Sequence, residues 1–175
     1  MFKFVLHRSY IGGIKLILNE YEINAETLLI LPYGKNQSKV IEYNEEFIVN
    51  MTSLEIIKHS CLYFGCTYEG RRDSVKEFIG IDMKVPILVE ESRNIIFFPT
   101  ASCVNRDSIW ISYNNLLKYS KMDDFSTVLY FKKNFNYKVL VKYKLVDNQV
   151  VRCMKLSMFL GKRKEFINSD NITLE

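Results

Sequence analysis

The stretch TVLYFKKNFNYKVLVKYK, residues 127–144, decides the class of fold. Thr127 to Phe131 alternates, and so does Tyr137 to Lys144, where Lys138, Lys142 and Lys144 interleave with Val139 and Val141. A period of two belongs to a strand with one covered face. Lys132 to Asn136 has the length of a hairpin connection, so the segment is expected to form an antiparallel β-hairpin. Upstream, Ile95 to Phe98 and Ile109 to Ser112 read as strands. Leu28 to Pro32 and Phe47 to Val49 read as short buried strands, with Lys39 to Glu42 more exposed between them. Thr52 or Ser53 can cap a helix whose apolar residues, Leu54, Ile57, Cys61 and Phe64, follow helical spacing, and Gly65 is a natural stop. Gly65 to Arg72 reads as an ordered turn ending in two arginines, and Asn114 to Tyr119 as a short helix. A last helix is expected around Asn148, with Val151, Met154 and Met158 on its apolar face and Arg152 and Lys155 on another. No βαβ rhythm runs through these elements. The expectation is a single α+β domain, mostly antiparallel sheet with a few helices.

At 175 residues, a single domain buries roughly 70% of its unfolded surface. A hydrophobic content of 48% with a net charge of +4 excludes a disordered chain. There are 18 Ile but only two Ala, Ala25 and Ala101, the bias expected of A/T-rich coding DNA. The apolar run Ile11 to Leu18 is broken by Gly12, Gly13 and Lys15, far short of the roughly 20 residues of a membrane span. The first residues lack the compact apolar core and cleavage site of a signal peptide. Cys61, Cys66, Cys103 and Cys153 are therefore expected as reduced thiols in a cytoplasm. Split along the chain, the charge is −2 over residues 1–57, zero over 58–124 and +6 over 125–175. A basic surplus confined to the last third fits a polyanionic partner, or simply a solvated face.

Catalytic constellations find little support. Gly65-x-x-x-x-Gly70-Arg71-Arg72 lacks the Lys and Ser or Thr of a phosphate-binding loop, and it follows a helix rather than a strand. His59 and Cys61 stand two apart on a helix and point about 160° away from each other, so they do not make a nucleophilic pair. Cys61-x₄-Cys66 is looser than a zinc knuckle, and Cys103 and Cys153 have no nearby second ligand. Glu45-Glu46, Glu90-Glu91 and Asp123-Asp124 are sequence neighbours, which face apart in strands and are solvated in loops. No enzyme and no cofactor are expected. The basic residues fare better. Arg71 and Arg72, with Arg152, Lys155, Lys162, Arg163 and Lys164, suit phosphate contact or a narrow A-tract minor groove. The alternative is that Glu69 and Asp73 hold the arginines in surface salt bridges.

The middle of the chain resembles the ComK family, competence transcription factors of Bacillus and related Gram-positive bacteria. The blocks are Tyr21-Glu22-Ile23-Asn24, Ser38-Lys39-Val40-Ile41-Glu42, Phe47-x-Val49-Asn50-Met51, Ser60-Cys61-x-Tyr63-Phe64-Gly65 and Tyr68-x-Gly70-Arg71-Arg72. They continue through Lys84-x-Pro86-Ile87, Ile96-Phe97-Phe98-Pro99-Thr100 and Trp110-Ile111-Ser112, with weaker similarity to Asn148-Gln149-Val150 and Arg152.

The resemblance implies a sequence-specific DNA-binding activator of DNA-uptake genes, cytoplasmic and associated with the nucleoid when bound. It further implies paired A/T-rich boxes read largely through the minor groove, a homo-oligomer (dimer or tetramer), RNA polymerase as an indirect partner and an adaptor of a Clp protease as a direct one. No membrane is implied. The DNA-contacting residues it points to are Arg71, Arg72, Lys58 and Lys84, and the charge pattern adds Arg152 and Lys155. Three segments result. Residues 1–20 are an N-terminal extension without a family counterpart, whose order is left open. Residues 21–147 are the core domain, and 148–175 a basic helical segment. The family's further polar tail is expected to be shortened here, as the chain stops at Glu175. The rival reading is an interaction protein that pairs with a full-length relative or a proteolytic adaptor without binding DNA.

Overall fold

The computed structural model describes residues 16–102 and 105–170, with side chains to residue 167. Most of the expected N-terminal extension and the last five residues lie outside the described residues. The elements in chain order are β1 (Leu16–Leu18), β2 (Thr27–Tyr33), β3 (Gln37–Glu42), β4 (Glu46–Val49), α1 (Ser53–Tyr63), α2 (Tyr68–Ile79) and β5 (Ile87–Glu90). They continue as β6 (Ile95–Pro99), β7 (Trp110–Ser112), β8 (Leu116–Lys121), β9 (Thr127–Phe131), β10 (Asn136–Val139) and α3 (Tyr143–Asp170). The class is α+β, with mostly antiparallel sheet.

Seven strands form one sheet in the order β1-β4-β3-β2-β7-β6-β5, and three form a second, β10-β9-β8. Every pairing is antiparallel except β1 with β4. The larger sheet is covered on both faces, which explains why its strands read as apolar runs rather than alternating ones. On one face Ile30, Val40, Ile87, Val89, Phe97 and Trp110 pack with Ile56, Ile57 and Cys61 of α1. On the other, Leu29, Ile41, Leu88, Ile96, Phe98 and Ile111 pack with Val146, Cys153, Leu156 and Leu160 of α3 and with Leu129 and Phe131 of the small sheet. Adjacent residues of each strand thus serve opposite cores, as the pleat requires. Helix α2 runs beside the edge strand β5, placing Tyr68 in the first core and Val75 in the second. It covers an edge that would otherwise invite pairing.

Helix α1 starts where its sequence says it should. The Thr52 hydroxyl accepts from the Glu55 amide at 3.3 Å, while the Glu55 carboxylate accepts from the Thr52 amide at 2.7 Å, a reciprocal capping box. The hairpin at 127–144 forms between β9 and β10. Its second strand ends at Val139, because the chain turns there to enter α3.

Several other expectations differ from the structure. Lys39–Glu42, expected to be more exposed, lies within β3, and its Val40 and Ile41 are fully buried. Gly65–Arg72 is not a turn throughout: from Tyr68 it is the start of α2, whose side chains bury at only Tyr68 and Val75. Asn114–Tyr119 is not helical; Leu116–Lys121 is strand β8, fixed by pairing with β9. The last helix begins at Tyr143, five residues before Asn148. Its buried row is Val146, Gln149, Cys153, Leu156 and Leu160, whereas Val151, Met154 and Met158 face solvent.

Candidate nucleic-acid interface

The six expected DNA-contacting residues do not form one patch. Three, Arg72, Lys84 and Arg152, gather near the loop between α2 and β5, residues 80–86. Gly80 ends α2 with a left-handed φ of +65°, its amide donating to the Lys76 carbonyl at 2.9 Å. Gly is the residue that adopts this conformation without Cβ strain. Lys84 also has a left-handed backbone, φ +52°, which is costly for a side chain of its size and requires outside support.

That support comes from α3. Gln149 is 1% exposed, and its side-chain amide donates to the Lys84 carbonyl at 3.0 Å and to the Pro99 carbonyl. Arg152, one turn on, donates through Nη1 to the Met83 carbonyl at 2.8 Å, to the Lys84 carbonyl at 3.3 Å and to Gln149 Oε1 at 3.2 Å. The loop is therefore clamped by backbone contacts from one helix face, which leaves the Lys84 side chain free of that duty. Arg72 and Lys84 line the same small cleft of about 70 Å³, with Tyr68, Asp82 and Met83. Arg72, Lys84 and Arg152 are thus brought to one region by α2, the loop and α3, with Lys155 exposed three residues further along α3.

Arg71 and Lys58 are placed differently. Arg71 Nη1 donates to Glu91 Oε2 at 3.1 Å, and its side chain is only 15% exposed. Lys164 reaches the same turn, donating to Asn94 Oδ1 at 3.2 Å and to the Glu91 carbonyl at 3.5 Å. Lys58, on α1, pairs with Glu69 at 3.0 Å and sits 5.5 Å from the centre of the Tyr68 ring. Glu69 is thus taken by Lys58 rather than by an arginine. The Lys58 hydrogen bond holds the Glu69 carboxyl below its usual range. Arg163 lies 6.0 Å from the Phe78 ring centre, near the stacked Phe78–Phe159 pair that joins α2 to α3. A larger polar cleft of about 600 Å³ opens at the start of α1, bordered by Asn36, Asn50, Glu55, Lys58 and Arg106.

The thiols are placed for packing. Burial pushes the Cys61 thiol up to about 12, against a smaller lowering by Arg71. Burial also pushes Cys153 well above its ordinary value. Both are therefore neutral at physiological pH, and the thiolate is the reactive form. His59 is 3.1 Å from Glu22, so it faces that carboxylate rather than Cys61. Among the described residues, no group of three His, Cys, Asp or Glu side chains is disposed to hold a metal ion. No described helix is long and apolar enough to cross a membrane.

Sequence reasoning missed Gln149 as the organiser of the loop, and it paired neither Arg71 with Glu91 nor Lys164 with Asn94. The only signal was that Asn148-Gln149-Val150 and Arg152 stood among the weaker matching blocks.

The family described as ComK protein matches residues 18–165. The competence transcription factor of Bacillus subtilis (strain 168) is 35% identical over 161 residues, covering 86% of this chain and 84% of that protein. No solved structure matches. The family match takes in β2 to β10, α1, α2, the last residue of β1 and most of α3; on that extent and identity, the chain belongs to the ComK family.

Proposed function

We propose that the protein is a DNA-binding transcription regulator of competence, activating DNA-uptake genes from A/T-rich boxes. The observation that carries this reading is the clamped loop at 80–86, which sets Lys84 beside Arg72 and next to the basic side of α3. The relative's name supplies the regulatory context, and the loop supplies a means of contact. Arg72, Lys84 and Lys155 are the proposed phosphate or minor-groove contacts. Arg152 joins them at the edge of the loop that it clamps. Arg71 and Lys58 are proposed as separate contacts outside that group, each reaching phosphate by exchanging its present carboxylate, Glu91 or Glu69. Arginine suits the enhanced negative potential of a narrow A-tract groove. The proposed setting is cytoplasmic and nucleoid-associated, with a homo-oligomer on the DNA, RNA polymerase as an indirect partner and a Clp-protease adaptor controlling abundance. No catalytic step is proposed, in keeping with the protonated state of Cys61.

A gel shift at moderate salt, comparing A/T-rich with G/C-rich duplexes of equal length, tests the reading. Tighter binding to the A/T-rich duplex is the expected result. Equal and feeble binding to both would move the assignment to an interaction protein that does not engage DNA.

A further inference from the structure

The tip of the loop at 80–86 carries an apolar side chain, Met83, which is 77% exposed. One exposed apolar residue is ordinary on a protein surface and needs no account by itself. What sets Met83 apart is the backbone beneath it. Its carbonyl accepts from Arg152 Nη1 at 2.8 Å, and the next carbonyl, of Lys84, accepts from both Gln149 and Arg152. Lys84 is held at φ +52°, and Val85 and Pro86 behind it are buried. Gly80 turns the other end of the loop with φ +65°. Surface loops are ordinarily among the mobile parts of a fold. Here two side chains of α3 and a strained backbone hold one rigid, although Met83 itself belongs to neither core.

Charge surrounds this apolar tip. Arg72 and Lys84 line the same cleft as Met83. Asp82, beside it, has Lys76 at 3.8 Å to offset its charge. With Arg72 and Lys84 on phosphate, Met83 is the side chain left facing the base edges. Proteins that bind the minor groove use apolar wedges, methionine among them, to part neighbouring base pairs. The thioether chain is unbranched and adaptable, which suits a narrow gap. A wedge on a yielding loop is pushed back by the stacked bases, whereas a wedge on a clamped loop passes the strain to the DNA. That strain is smallest at flexible pyrimidine–purine steps such as TA, and larger in stiff A-tracts.

We propose that Met83 is a wedge that enters a TA step of the bound duplex from the minor groove, and that it selects this step by its low cost of unstacking. The inference rests on the DNA-binding reading above and adds a specificity-determining residue to it. Contacts from Arg72 and Lys84 to phosphate give affinity and register but carry no sequence information. Hydrogen bonding in the minor groove separates A·T from G·C and little more. Met83 supplies what those contacts lack, because it reads how readily a step opens. Gln149 and Arg152 are then positioning residues for Met83 as well as for Lys84.

The test uses the full chain and an A/T-rich duplex in which aminopurine, a base whose fluorescence rises when it unstacks, replaces adenine at a TA step. Binding of the wild type is expected to raise the fluorescence severalfold. Met83→Ala is expected to lose that rise and about tenfold in affinity, with the salt slope unchanged because no phosphate contact is lost. Met83→Leu is expected to keep most of both. Arg72→Ala is expected to do the reverse, with a slope shallower by about 0.9 and the rise retained at saturation. Changing the TA step to AA is expected to weaken the wild type about tenfold and Met83→Ala far less. Met83 is exposed and outside both cores, so its substitution leaves the fold intact, and thermal melting checks this. A wild-type complex without the fluorescence rise overturns the proposal and leaves DNA binding in place. So does a Met83→Ala variant that keeps both the rise and the preference for TA. A wild type that does not prefer the A/T-rich to the G/C-rich duplex overturns the DNA-binding reading, and this proposal with it.

Discussion

Replacing Gln149 with leucine isolates the contact on which the interface depends. The two side chains have similar volume, so the core loses little packing, and the change falls on hydrogen bonds. In the native protein the amide donates to the carbonyls of Lys84 and Pro99, while Oε1 accepts from Arg152. After substitution the Lys84 carbonyl keeps Arg152 Nη1 at 3.3 Å, but the Pro99 carbonyl loses the amide that it held. An orphaned buried acceptor costs about 1–3 kcal/mol, and the second lost bond about 1 kcal/mol. The sum is a destabilisation of roughly 2–4 kcal/mol, which for a chain of this size lowers Tm by roughly 5–15 °C. Urea unfolding should show a lower midpoint with an unchanged slope. Released from Gln149, the Lys84 backbone leaves its left-handed conformation, so DNA affinity falls even though no charge has been removed. A loss of stability below about 0.5 kcal/mol would refute the claim that Gln149 holds the loop.

Three further outcomes follow from other contacts. Thr52→Ala removes half of the capping box and should cost about 1 kcal/mol in unfolding experiments, whereas Thr52→Ser should cost far less. Glu90 is desolvated, which raises its pKa, but hydrogen bonds from Ser92 and the Arg93 amide outweigh this and hold the carboxyl below its usual value. Its stabilising effect is therefore present above the unfolded pKa of about 4.3 and is lost as pH falls through the folded value. The stability difference between wild type and Glu90→Gln should be constant near neutral pH and should shrink in acid. An alkylating reagent at mildly basic pH should label Cys66, which is partly exposed, well before Cys61 or Cys153, as mass spectrometry of the digested protein would show. Rapid labelling of Cys61 in the folded protein would contradict its burial.

What the sequence announced was whatever local chemistry alone specifies. Thr52 and Glu55 mark the start of α1, and Gly65, with φ +80°, stands just beyond its end. Ile95–Phe98 and Ile109–Ser112 are apolar enough to be strands in any setting. Helix α2 was silent because it lies along a sheet edge and buries just two residues seven apart, Tyr68 and Val75, with Gly70 inside. Strand β8 was misread because Asn114–Tyr119 has no clear period of two; its state comes from pairing with β9, a tertiary effect. Helix α3 carries two apolar rows, and sequence alone favours the one without a polar member. The buried row contains Gln149, which is tolerable only because loop carbonyls lie within reach of its amide. The same fact explains the candidate site. Arg71 and Arg72 were visible as an adjacent pair, but the different positions of their side chains depend on Glu91 and on the loop, both distant in sequence.

The relation between DNA affinity and salt tests the central claim most directly. Each phosphate contact contributes about 0.9 to the slope of log K against log salt on B-DNA. The combined Arg72→Ala, Lys84→Ala variant should bind the A/T-rich duplex more weakly and with a slope shallower by about 1.8. Its unfolding midpoint should stay near wild type. A double variant that keeps both the affinity and the slope of the wild type would place the DNA elsewhere on the protein, or nowhere on it.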